Sequence, residues 1–360
     1  MDLRENNIDD AADDTCQWLP RHPSYVAWLQ DSSSLLWIKG KPGAGKSTLL
    51  KYAFKQDPRD TLMASFYFNA RGHALEKTAL GFYRSILHQL LPFAPECLSR
   101  LALIYEQRSE VRGSIEKEWD WSEFELKSQL RDLLLNGADR PIRLYVDALD
   151  ESGKEVAVDL VYLFSVLIRR ARSEGKCLSI CFSCRHYPIV MNTFEDFTIC
   201  IEHENSTDLR MYVHHRLEAN CIFESKAELL ARHILEKACG VFQWIKLVLP
   251  KAIDSCRTGT RIEAILTKIR ALPSELYDLY KAILAEIPGE ERPESLKLLQ
   301  WICFAIQPLS VGELRDAMAV DVNPSCTTFK ECMESSSSTE NDEDMEKKIL
   351  HLSRGLAEVK

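Results

Sequence analysis

Gly40-Lys-Pro-Gly-Ala-Gly45-Lys46-Ser47-Thr48 has the spacing G-x-x-x-x-G-K-S, a Walker A-type pattern whose residue types suit a polyphosphate. The glycines let successive backbone N–H groups turn inward, Lys46 can reach terminal phosphates, and Ser47 can offer its hydroxyl to Mg²⁺. The bare pattern also describes a Gly-rich surface turn, so the flanking residues decide. Leu35-Leu-Trp-Ile38 before it reads as a strand, and Leu49-Leu-Lys-Tyr-Ala53 after it reads as a helix, which is the order the chemistry needs. Gly40, Lys41, Pro42, Gly43, Ala44, Gly45, Lys46, Ser47 and Thr48 are the expected nucleotide contacts, with ATP or GTP and Mg²⁺ as cofactors.

About a hundred residues on, Ile142-Arg-Leu-Tyr-Val146 runs into Asp147-Ala-Leu-Asp150-Glu151, a Walker B-type strand end. An acid at the tip of a neighbouring strand can hold Mg²⁺, and a second acid can orient or deprotonate the attacking water. Asp147 is therefore expected to share the metal with Ser47, and Asp150 or Glu151 to serve the water. Leu178-Ser-Ile-Cys-Phe-Ser183 then delivers Arg185 and His186 toward the same edge.

These groups need a parallel sheet to bring them together. Strands are predicted at 62–68, 142–146, 178–182 and 198–201, with helices near 75–91, 96–109, 122–136 and 155–172 between them. In open sheets of this kind ligands bind at the carboxyl edge, where the loop after Ile38 would sit. From 206 to 320 the pattern is helical, at 206–219, 225–238, 241–254, 261–271, 274–287, 294–305 and 311–319. Pro273 fits a first helical turn, followed by an apolar face of Leu276, Tyr280, Ile283, Leu284 and Ile287. Residues 321–344 hold a serine run and an acidic run, too polar to repay ordering, so they are expected to be disordered before a final helix at 345–357.

Composition sets further bounds. The 360 residues carry a formal charge of −9, with −5 in residues 1–14, −5 in 321–350 and a neutral body from 15 to 320. A neutral body argues against a nucleic-acid surface. No apolar run is long enough to span a membrane and the start lacks a signal peptide, which predicts a cytoplasmic protein. The 12 cysteines are scattered. The tightest group, Cys177, Cys181 and Cys184, has no second C-x-x-C to complete a zinc site, so these read as reduced thiols.

Thr15-Cys-Gln-Trp-Leu19 with His22-Pro23 and Trp28-Leu29, LLWIKGKPGAGKSTLLKYA, ASFYFNARG, LYVDALDES, CFSCRHYP and Gly240-Val-Phe-Gln-Trp244 together resemble the NACHT-type STAND NTPases of filamentous fungi, whose core is often described as nephrocystin-3-like. The resemblance implies an α/β P-loop NTPase with a five-stranded parallel sheet of order 2-3-4-1-5, then an all-helical lid and a partial winged-helix domain. It divides the chain into N-terminal linker helices (1–30), the NACHT domain (31–205), the lid (206–290) and the partial winged helix (291–360, with the insertion 321–344). It makes Arg185 the sensor of the γ-phosphate and, where wider-class members have Gly-x-Pro, leaves base contact to Phe242 or to nothing in this stretch. It also implies that the chain stops before the block that completes the winged helix and before ankyrin or WD repeats.

The favoured reading is a nucleotide-operated signalling switch with slow hydrolysis, in fungal self/non-self recognition or cell death, working with protein partners or by self-assembly. A catalytic P-loop ATPase or kinase would share every phosphate contact, and an inert truncated scaffold would bind no nucleotide.

Overall fold

The computed structural model describes residues 3–56, 60–113, 115, 119–137, 140–186, 197–222, 224–320, 328, 331–332, 339–357 and 359. The chain divides into two compact units, Met1–Tyr212 and Val213–Lys360.

The apolar runs of the first unit form five parallel strands: β1 (Leu35–Lys39), β2 (Leu62–Tyr67), β3 (Ile142–Asp147), β4 (Leu178–Cys184) and β5 (Phe197–Cys200). Their order is β2-β3-β4-β1-β5, as the resemblance implied. The register sets Leu144 beside Ile180 and Trp37 beside Phe182. Because side chains alternate across a strand, Leu35 and Trp37 enter one core with Val146, Ile180 and Phe182, while Leu36 and Ile38 enter the other with Tyr145 and Cys181. Both faces are buried, as the nearly continuous apolar strands require. Cys184 lies in the first core and Cys181 in the second, so these thiols diverge.

The first unit's helices are α1 (Leu3–Asn6), α2 (Pro23–Gln30), α3 (Lys46–Gln56), α4 (Ala79–Leu90), α5 (Pro95–Arg112), α6 (Glu123–Asn136), α7 (Lys154–Ser173), α8 (Ile201–Glu204) and α9 (Ser206–Glu218), the last of which runs past Tyr212. Local chemistry sets their ends. Thr78 caps α4 by accepting from Gly81 N–H at 3.3 Å, so the helix expected from 75 starts at 79. Ser122 and Glu125 form a capping box on α6. Helices α4, α6 and α7 supply Phe82, Leu130 and Phe164 to one face, and α2 and α3 supply Trp28, Leu49 and Leu50 to the other.

Trp28 shows how that second face is held. Its ring is fully buried and edge-on to Tyr145 at 5.9 Å. The Arg143 guanidinium lies over it at 5.0 Å, and its Nε1 donates to Ser34 O at 3.3 Å.

The second unit is helical throughout its described residues: α10 (Glu224–Ala238), α11 (Phe242–Arg257), α12 (Ile262–Ala271), α13 (Leu276–Ala285), α14 (Arg292–Phe304), α15 (Val311–Ala319) and α16 (Asp342–Ser353). Two expectations are corrected here. Pro273 precedes α13 rather than opening it: Leu272 before it is extended, and the carbonyl of Pro273 itself accepts from Trp244 Nε1 at 2.8 Å. The buried face of α13 is Leu279 with Ile283, Ile287 is buried just beyond the helix, and Leu284 is exposed. The last helix starts at Asp342 because Asn341 caps it, accepting from Asp344 N–H, and the acids there favour a helix N-terminus. The rest of the predicted insertion falls almost wholly outside the described residues.

Replacing Trp28 by Ala should cost about 3–5 kcal/mol of unfolding free energy. Denaturant titration of the purified variant, reading the shift in midpoint at unchanged slope, measures it.

Candidate functional site

The loop after β1 turns on glycines at the two places where only they sit comfortably. Gly43 has φ of 73° and Gly45 φ of 100°, conformations that side chains disfavour. The chain then enters α3 at Lys46, and the first N–H groups of that helix have no intrahelical acceptor. A Cβ on Gly40 would meet Ile201 Cγ2 at 2.5 Å, so this glycine is needed for close approach of α8.

Lys46 is folded onto its own loop, donating to Gly40 O at 2.9 Å and Lys41 O at 2.8 Å. Burial lowers its proton affinity, the carboxylates of Asp150, Asp147 and Glu202 raise it again, and Arg185 opposes them. Two groups after β5 brace the loop. The Lys41 N–H donates to Glu202, whose other oxygen lies 3.4 Å from His186 Nε2, and Asn205 Nδ2 donates to Ala44 O at 3.3 Å.

Asp147 stands at the tip of β3 with no exposed surface. Ser183, at the end of the adjacent strand, donates its hydroxyl to Asp147 Oδ1 and accepts from Ala148 N–H at 2.9 Å. Ala148 itself is left-handed, φ 50° and ψ 47°, a conformation that costs a non-glycine residue of order 1–3 kcal/mol and is held by that bond. Burial raises the Asp147 carboxyl above its ordinary value, and Arg4, Ser183, Ser47 and Lys46 pull it back, in that order. Its Oδ2 is buried and makes no full hydrogen bond among the described residues. An unshared buried carboxylate oxygen, with the Ser47 hydroxyl acting on the same group, is a donor set that fits Mg²⁺, a cation that takes oxygen ligands and keeps several waters.

The remaining acids are engaged. Asp150 accepts from Arg185 twice, through the backbone N–H at 3.1 Å and through Nε at 3.1 Å. Glu151 accepts from Arg4 Nη1 at 2.8 Å, from Arg4 Nη2 at 3.3 Å and from Ala70 N–H at 3.1 Å. Outside α3, residues 10–14 with Thr15, Gln17, Thr48, Lys51, Tyr52, Lys55 and Gln56 line a hollow of about 390 Å³.

Of the residues expected from the sequence, the structure gathers the loop 40–48, Asp147, Asp150, Glu151 and Arg185 at one edge of the sheet. Phe242 opens α11 in the second unit and is half-buried. Ser183, Glu202, Asn205 and Arg4 were missed. Ser183 was legible in principle, since it ends a strand two residues before Arg185. Glu202 and Asn205 are three apart just after a strand, which places them near one another on a helical turn. Arg4 carries no local signal.

Residues 14–185 match the family model described as Nephrocystin 3, N-terminal. The vegetative incompatibility protein HET-E-1 of Podospora anserina is 24% identical over 321 residues, covering 84% of this chain and 22% of that protein. The azaphilone pigments biosynthesis cluster protein L of Monascus ruber is 32% identical over 72 residues, 20% of this chain and 15% of that protein. The chain therefore spans under a quarter of the length of either relative. The solved structure of the Aeropyrum pernix ORC2 protein in ADPNP-ADP complexes superimposes with a TM-score of 0.41 at 14% identity, covering 97% of this chain and 98% of that one, a likeness too loose to build on. No helix among the described residues is long and apolar enough to cross a membrane.

A carboxyl whose proton affinity is raised by folding contributes stability below its unfolded value of 3.8 and loses it as the pH rises through the folded one. Asp147→Asn, which keeps an oxygen for Ser183, should therefore melt higher than the parent at pH 7 without added metal, the two converging below pH 3.8. Melting curves across that pH range decide it.

Proposed function

We propose that this chain works as a nucleotide-operated switch with slow hydrolysis of the nephrocystin-3-like NACHT type, a reading supported by the family-model match of residues 14–185 and by the similarity to the Podospora anserina incompatibility protein. The observation that carries the proposal is the meeting of the Lys46–Ser47 loop with a buried Asp147 whose Oδ2 is unshared.

On this reading a triphosphate displaces the loop carbonyls from Lys46, exchanging neutral acceptors for charged ones. Ser47 and Asp147 hold the magnesium ion, which when bound neutralises phosphate charge. Arg185 leaves Asp150 for the γ-phosphate, so the pair reports which nucleotide is present. A water held by Asp150 or Glu151 attacks the γ-phosphorus, its proton passes to the carboxylate, and the bond to the β–γ bridging oxygen breaks to leave diphosphate and phosphate. The hollow beside Thr48 is of a size that accepts a base and ribose. The neutral body of residues 15–320 supports a protein partner or a second copy over nucleic acid. By analogy with the incompatibility protein of Podospora anserina, the signal belongs to self/non-self recognition or cell death in a fungus, and the site works in the cytoplasm.

Lys46→Ala should weaken nucleotide binding at least tenfold by fluorescence titration, and unchanged affinity would reject the site. Steady-state phosphate release separates the switch from a kinase or fast ATPase. Kinases turn over at about 1–100 s⁻¹, and the parent chain should fall well below that range with any acceptor added.

A further inference from the structure

We propose that Arg4 is a built-in brake on the hydrolytic site, a guanidinium lent by the N-terminal segment that keeps Glu151 from serving water. The inference rests on the switch reading of the same site.

Arg4 reaches Glu151 across 147 positions of sequence. The contact is two-pronged, one guanidinium nitrogen to each carboxylate oxygen, and both side chains are largely covered, 17% and 23% exposed. The Ala70 N–H adds a third donor on Glu151 Oε2. A general base must offer a lone pair to the water it deprotonates. A carboxylate gripped by a fork and an amide has lost the best directions for that.

The segment that presents Arg4 is tied to the helix that carries the phosphate-binding lysine. Lys51 Nζ donates to Glu5 O at 3.1 Å and to Ile8 O at 2.7 Å, and Asp10 pairs with Lys51 at 3.1 Å and with Lys55 at 2.6 Å. Lys51 and Lys55 are one turn apart on α3, so the strap rides on the element whose first turn holds Lys46 and Ser47. Ile8 and Ala11 add a small apolar contact to the core beneath. These ties are polar, and Asp10 and Lys55 lie near solvent, which suits a part that must lift away.

The full chain tests the brake. Arg4→Ala should raise steady-state phosphate release from ATP or GTP roughly tenfold at saturating magnesium, with the nucleotide concentration at half-maximal rate unchanged. Arg4→Lys, which keeps one charge and loses the fork, should fall between parent and Arg4→Ala. Lys51→Ala should raise turnover by less. Turnover that is unchanged or lower in a folded Arg4→Ala protein with normal diphosphate binding overturns the brake, and the lower value would make Arg4 a helper of the transition state. If Arg4→Ala does not fold, the turnover of Arg4→Lys decides. A parent chain that binds no nucleotide sinks the switch and the brake together, whereas normal binding with unresponsive variants sinks the brake alone.

Discussion

An aspartate with no exposed surface at the tip of β3 sets the conditions for everything around it. Taking a carboxylate out of water is expensive unless charges and donors replace the lost hydration. Asp147 has those replacements on several sides: Ser183 from β4, Ser47 and Lys46 from the loop after β1, and Arg4 from the N-terminal segment. The strand order makes this possible. With β4 lying between β3 and β1, a serine at its end can hold the acid on one neighbour while the loop of the other comes within electrostatic reach. The left-handed Ala148 belongs to the same arrangement, since its N–H must turn toward Ser183 for that hydroxyl to be used as both donor and acceptor.

Much of this was readable beforehand, for physical reasons particular to each residue. The loop is legible because only glycine tolerates the φ values at 43 and 45, and because a lysine and a hydroxyl must follow them at fixed spacing. The sheet is legible because strands covered on both faces read as unbroken apolar runs, as Leu35–Ile38 and Leu178–Phe182 do. Helix ends were harder. Thr78, Asn341 and the Trp244–Pro273 bond moved boundaries by a few residues, through side-chain contacts that periodicity does not encode. Arg4 was invisible because its partner is 147 positions away and nothing near it in sequence distinguishes it from an ordinary surface arginine.

The braces on the phosphate loop explain why residues after β5 belong to the site. Glu202 takes the Lys41 N–H, Asn205 takes the Ala44 carbonyl, and Gly40 leaves room for Ile201. The loop is thus shaped partly from outside its own motif. Asp208, a little farther on, accepts from Cys16 N–H at 2.9 Å and Trp18 Nε1 at 3.0 Å, which pins the N-terminal segment to the start of α9. That carboxyl is itself raised by burial and lowered again by those two donors. A change of shape in the loop is therefore felt at α8 and α9, and α9 carries the N-terminal segment with it.

Charge accounting gives this arrangement its direction. Asp147, Asp150, Glu151 and Glu202 face Lys46, Arg4 and Arg185, and the two guanidinium groups are each spent on one acid. On the proposed reading, a triphosphate adds more negative charge than one magnesium ion offsets, so cations would be recruited from within. Lys46 gives up only neutral carbonyls and is the cheapest to redirect. Arg185 must leave Asp150, and it can do so because about half of its side chain is exposed. Arg4 is the more deeply covered of the two guanidinium groups and holds both oxygens of its partner. The order in which cations come free then follows from burial and bond count: lysine, then the arginine on β4's edge, then the arginine of the strap. On the proposed reading, phosphate recognition draws on the first two steps and release of Glu151 for hydrolysis on the third, so the strength of a single ion pair would separate binding from hydrolysis.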